Sequence, residues 1–282
     1  MINFRRMTKS PTTAEDFYRL GAEAFKDRKF AEAADLFQKA TRVDPVFFRA
    51  HVYLGMAYHE MGDLDRAVAA YEQALTCEPG YHKAHNNLGN IHKKRGDVEK
   101  AIAAFRQAHS LDPRSHLYAY NLGVCLIEAG KAGEAVAPLE SARALAPKDP
   151  EIAFALGNAF FRARRPEEAI PAYERFLGMA PESDRSDAVR MRVKTLRQEI
   201  ARLETRMNVR PGSPEPGGKN DPYASSLRWA DEIAGADDPI EAALREAEGH
   251  TGKPAVRDAG KAPWPKPAEG APKRKTQRTK RK

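Results

Sequence analysis

The chain has 282 residues, 41% of them hydrophobic and 30% charged, and 47 basic side chains against 39 acidic ones leave a net charge of +8. Two cysteines, Cys77 and Cys125, are too few for a disulfide framework or a structural zinc site. The first residues lack the apolar run of a signal peptide, and no stretch of about 18 apolar residues occurs, so secretion by that route and membrane spanning are not expected. A cytoplasmic location is the expectation, and the basic excess raises nucleic acid or an anionic surface as a partner without saying where the charge sits.

Residues 1–13 read as a flexible N-terminus. Thr13-Ala14-Glu15-Asp16 then has the form of a capping box, with Asp16 in place of the commoner Glu, and opens the first helix. From Ala14 the chain repeats itself. Written in rows of 34, at 14–47, 48–81, 82–115, 116–149 and 150–183, column seven is Leu20, Leu54, Leu88, Leu122 and Leu156. Column eight is glycine in all five rows and column twenty is alanine; column twenty-four is Phe37, Tyr71, Phe105, Leu139 and Tyr173; column thirty-two is always proline. Each row predicts two antiparallel helices, the first with apolar residues at columns four, seven, eight and eleven, the spacing of one helical face. A turn follows at Gly62-Asp63, Gly96-Asp97 and Gly130-Lys131, with Arg28 and Arg164 in place of the glycine in the outer rows. The small residues at columns eight and twenty mark the close approach of the two helices, and the proline ends the second helix.

This pattern closely resembles the tetratricopeptide repeat family over 170 of the 282 residues, and its motif set is specific because it fixes the period and about eight columns. The resemblance implies an all-α, right-handed superhelix, an α-solenoid of helix-turn-helix repeats, whose concave inner face binds peptides or protein segments. The departures are local: Ala24 and His92 at column eleven, Phe176 at column twenty-seven, and the two turn arginines.

Residues 184–207 follow as a further amphipathic helix, with Val189, Val193, Leu196, Ile200, Leu203 and Met207 on one side and Arg190, Arg192, Lys194, Arg197 and Arg202 on the others. Two uses stay open: a solvating cap for the last repeat, which otherwise leaves an apolar face bare, or a homodimeric coiled coil over 189–207. Residues 208–282 hold ten of the twenty prolines and read as a disordered tail. Within it, 223–248 is an acidic amphipathic island carrying Leu227, Trp229, Ile233, Ile240 and Leu244, and 273–282 is a basic terminus.

By the resemblance, the ligand-facing columns are those on the inner face of each first helix. They give Tyr18 and Phe25; Arg49, Tyr53 and Met56; Lys83, Asn86, Asn87 and Asn90; Tyr120 and Asn121; and Phe154, Asn158 and Phe161. Aromatic anchors beside amide donors and acceptors suit a peptide backbone. Asn87 and Asn121, both at column six, are similar to the asparagine ladder of the repeats attached to O-linked N-acetylglucosamine transferases. The cations of the repeats that clamp the C-terminal carboxylate of heat-shock chaperones are absent; Glu151 and Ala155 stand in their columns, so that clamp is not expected.

Seven of the eight histidines lie between His51 and His116, but His51, His85 and His92 fall on packing columns, so no metal site is expected. No phosphate loop, nucleophile elbow or paired-acid constellation appears, and neither enzyme activity nor a cofactor is expected. Lys273, Arg274, Lys275, Arg278, Lys280, Arg281 and Lys282 could neutralise phosphates without reading sequence. The expected function is an adaptor or scaffold that holds a peptide or helix of a partner protein; the alternative is a nucleic-acid-associated factor tethered by its basic tail. By segment, the charge is +3 over 1–13, +1 over 14–207, −3 over 208–272 and +7 over the last ten residues, so the basic character belongs to the ends.

Overall fold

A computed structural model describes residues 11–208, and side chains through 205. Among the described residues the chain forms eleven α-helices and no strand. Five helix pairs recur at the 34-residue period: α1 Ala14–Lys26 with α2 Phe30–Val43, α3 Phe48–Glu60 with α4 Leu64–Cys77, α5 His82–Arg95 with α6 Val98–Leu111, α7 His116–Glu128 with α8 Ala132–Leu145, and α9 Pro150–Arg162 with α10 Pro166–Met179. α11, Ser186–Asn208, closes the series. Each first helix packs on its own partner and on the second helix of the preceding pair, giving an all-α solenoid. Residues 1–10 of the segment expected to be flexible, and the tail expected to be disordered, with its acidic island and basic terminus, lie outside the described residues.

Local chemistry sets the helix ends. The Thr13 hydroxyl accepts from the Asp16 amide at 3.1 Å, and the Asp16 carboxylate accepts from the Thr13 amide at 3.3 Å, which completes the capping box. Each first helix ends in one left-handed residue: Gly62, Gly96 and Gly130 at φ 74–81°, and Arg28 and Arg164 at φ 60°. The same 6→1 backbone bond follows in every repeat, from Lys29 to Ala24 at 2.9 Å through Arg165 to Phe160 at 2.8 Å. The turn geometry is therefore imposed by the packed pair, and the outer repeats meet it with residues that carry a Cβ and pay a steric cost for it.

The core is built from the repeated columns. Alanine at column twenty is fully buried in all five repeats, as is the column twenty-four side chain, with Phe105 at 0% exposure. A Cβ placed on Gly89 would stand 2.6 Å from the Phe105 ring, so only glycine lets α5 and α6 come this close. Burying a side chain of that size contributes about 2–3 kcal/mol. Phe176 fills the alanine position of the fifth repeat without leaving the core. Two features were not expected from the pattern: Pro138 and Pro171 lie inside α8 and α10. Cys125 is buried, and burial pushes its thiol up to about 11, whereas Cys77 is only half-buried.

The packing of α11 bears on the two uses left open for residues 189–207. Continuing the 34-residue count to Asp184 makes α11 the first helix of a sixth row, and it docks as one. Val189, Val193 and Leu196 are 0%, 6% and 1% exposed and join the core formed by α9 and α10. Half of the seam that a dimeric coiled coil would use is thus consumed inside the chain, and dimerisation through it finds no support. The side a second helix would cover carries Arg190, Lys194 and Met191 and faces solvent, the polar outer face expected of a cap.

Candidate peptide-binding groove

The first helices meet one another along one face, and the predicted binding side chains lie there. Its two halves differ. At the N-terminal end the Tyr18 ring packs edge-on against Tyr53 at 5.4 Å and also contacts Phe47 at 5.2 Å, while Phe25 meets Tyr53 at 6.4 Å. Tyr18, Phe25, Tyr53 and Met56 are half-buried, Arg49 is exposed and Lys83 is half-buried, so this end presents an aromatic cradle edged by cations. Desolvation holds the Tyr18 and Tyr53 hydroxyls well above the ordinary phenol value, so both stay neutral hydrogen-bonding groups.

In the middle, Asn86, Asn87 and Asn90 project from α5. Asn121 donates to the Asn86 side-chain oxygen at 2.8 Å, and Asn87 donates to the Tyr71 hydroxyl at 3.2 Å. Asn86, Asn87 and Asn121 are buried and Asn90 half-buried. Asn86 Nδ2, Asn87 Oδ1 and Asn90 Oδ1 are nevertheless without a hydrogen-bond partner in the protein. Beside them Lys93 pairs with Glu128 at 2.7 Å, which ties α5 to α7.

The C-terminal half is filled. Tyr120, Phe154 and Phe161 are buried, and Asn158, half-buried, accepts from the Tyr173 hydroxyl at 2.8 Å. Arg185, just before α11, and Arg192 within it supply two cations that sequence reasoning did not place here. The Arg185 guanidinium lies 4.4 Å from the Phe154 ring centre and pairs with Glu151, and Arg192, 2% exposed, lies 4.1 Å from that of Phe161. Arg192 was expected on a solvated side of its helix; extending the row count to residue 184 would have put it at column nine, an inward column. Of the fourteen candidate side chains, those of α1, α3 and part of α5 offer surface to a ligand as they stand. Asn86, Asn87, Tyr120, Asn121, Phe154 and Phe161 form the floor.

The histidines hold loops. His51 and His85, both at column four, place Nε2 at 2.9 and 3.0 Å from the carbonyls of Pro45 and Pro79, six residues earlier in each case. Among the described residues no three His, Cys, Asp or Glu side chains converge as metal ligands, and no helix is long and apolar enough to cross a membrane. The basic candidates Lys273 to Lys282 lie outside the described residues.

Known structures share this architecture. MamA is matched with a TM-score of 0.56 at 18% identity over 60% of this chain and 93% of that one. YrrB, described as a tetratricopeptide repeat protein with an unusual peptide-binding site, is matched with a TM-score of 0.56 at 16% identity over 66% and 92%. At such identities the likeness shows the fold alone. No curated protein matches the sequence. The sequence itself matches the tetratricopeptide repeat over residues 18–82, 86–150 and 127–188, more than half of its length, and the chain belongs to the tetratricopeptide repeat family.

Proposed function

We propose that this protein is a non-enzymatic adaptor that holds a segment of a partner protein along the face shared by its first helices. The observation that carries this reading is the row of buried amide atoms on α5, Asn86 Nδ2, Asn87 Oδ1 and Asn90 Oδ1, which lack partners beside a half-open aromatic cradle. Leaving a buried polar atom unpaired costs about 1–3 kcal/mol, and a peptide backbone brings both donors and acceptors to such a place. Apolar anchors then have Tyr18, Phe25, Tyr53 and Met56 to pack against. That YrrB is described as having a peptide-binding site accords with this use of the fold.

The test is selection of peptides from a random display library on the intact protein, followed by binding to Arg49→Ala, Tyr53→Ala and Lys83→Ala. These side chains are exposed or half-buried, so each variant keeps the fold. The reading expects loss of binding in the Tyr53→Ala variant and retention in Lys39→Ala, on the outer helix α2. Equal binding by all variants would refute it.

A further inference from the structure

The open half of the groove is charged as well as apolar. On the inward columns of α1, α3 and α5 stand Arg19, Lys26, Arg49, Lys83, Lys93 and Lys94 against Glu15 and Glu60, with Lys93 already held by Glu128 and Arg19 by Asp16. The same chain carries a segment of the opposite character. Residues 223–248 contain seven acids and two arginines, with Leu227, Trp229 and Ile233 among them. We propose that the groove's N-terminal half, formed by α1, α3 and α5, is occupied by residues 223–248 of its own chain, an internal ligand that a partner segment must displace. This inference rests on the adaptor reading of the same face.

Reach permits it. Residues 209–222 separate the end of α11 from the acidic segment, and fourteen residues span up to about 46 Å. Neighbouring first helices lie about 10 Å apart, which puts α5 about 30 Å from α11 across three intervals. α11 ends twelve residues beyond the column where the other first helices stop, about 18 Å further along its axis. The combined distance is about 35 Å, within the linker's span. The segment would therefore meet α5 first and run toward α3 and α1.

Charge also favours this site over the nearer basic surface of α11. There Arg190 pairs with Asp187, Arg197 with Glu174 and Arg202 with Glu199, and the large apolar side chain offered, Met191, stands among charged neighbours. The groove instead sets exposed Arg49 and half-buried Lys83 beside a continuous aromatic cradle. In the C-terminal half Phe154 and Phe161 are buried against Arg185 and Arg192, so no comparable aromatic cradle is open there.

Both tryptophans of the chain, Trp229 and Trp264, lie beyond α11, which supplies a reporter. In the full chain carrying Trp264→Phe, Trp229 is the only tryptophan. The proposal expects its emission to be blue-shifted, and its acrylamide quenching several-fold weaker, than in a synthetic 223–248 peptide, at every protein concentration. Adding Arg49→Glu with Lys83→Glu, with circular dichroism unchanged, should restore the free-peptide values. A Trp229 as accessible as in the peptide overturns the proposal, as does protection that survives the two charge reversals. Protection lost on dilution also overturns it, since the segment would then occupy a second copy. If display-selected peptides bind while Trp229 is fully accessible, this inference fails and the adaptor reading stands.

Discussion

Gly89→Ala tests the packing argument where the facing side chain is a fully buried phenylalanine ring. The added Cβ would sit 2.6, 2.7 and 2.9 Å from Cε1, Cδ1 and Cζ of Phe105, whereas carbon atoms rest about 3.5–4.0 Å apart, a shortfall of about 0.9 Å. Phe105 has no exposed surface into which to swing, so α5 and α6 must separate. Overpacking costs about 1–3 kcal/mol, and with no space for the ring to move this site belongs in the upper part of that range, about 2–3 kcal/mol, from which alanine returns about 1 kcal/mol of helix propensity. The expected net loss is about 1–2 kcal/mol. Gly133→Ala is the matched control: nothing lies within 4 Å of its added Cβ, and near the start of α8 it should stabilise by up to about 0.5 kcal/mol. Urea unfolding followed by circular dichroism measures both as midpoint shifts, provided the slopes are unchanged. Because a solenoid's stability is a sum over neighbouring repeats, coincident fluorescence and dichroism transitions should be checked first. If Gly89→Ala leaves the midpoint unchanged or raises it, the close approach of α5 and α6 is not what column eight selects.

Arg164→Gly should raise stability by up to about 1 kcal/mol, since it relieves a left-handed residue at some cost in unfolded-chain entropy; a lowered urea midpoint would refute the strain argument. Cys77 should react with an aromatic disulfide reagent at a rate set by simple access, while Cys125, buried with its thiol pushed up to about 11, should react only as fast as the chain opens; two equally fast thiols would contradict the burial. Asp16 and Asp63 are held below their ordinary 3.8, Asp16 by the Thr13 hydroxyl first and Asp63 by the Arg66 amide first. Their folded-state values are depressed, so the stability they contribute is present above the unfolded value and is lost as pH falls through the folded one. Thr13→Ala should flatten part of that acid-side slope in thermal melts, and an unchanged slope would show that the capping box does not set it.

The helix pairs were legible because a repeat's environment is mostly its own sequence and its neighbours' copies of it. Leucine at column seven, glycine at eight, alanine at twenty and proline at thirty-two each answer a contact or a chain end that recurs every 34 residues. The turn arginines show the limit of reading by residue type: Arg28 and Arg164 do not favour a left-handed backbone, yet adopt it because the packed helices on either side leave no other path. The capping box at Thr13 was visible in four residues because all of its bonds lie within them.

The sequence by itself determined the period and the helix pairs, since these follow from local propensity and nearest-neighbour packing, while the columns that face inward came with the resemblance to the repeat family. Only the tertiary structure decided which inward side chains remain open. That depends on the size and charge of residues contributed by the next stretch of chain along: Asn121 closing over Asn86, Arg185 before α11 and Arg192 within it reaching back onto Phe154 and Phe161, and Val189, Val193 and Leu196 turned into the core rather than toward a second chain. Accessible surface is a property of neighbouring volumes, and those volumes meet only when the solenoid is assembled.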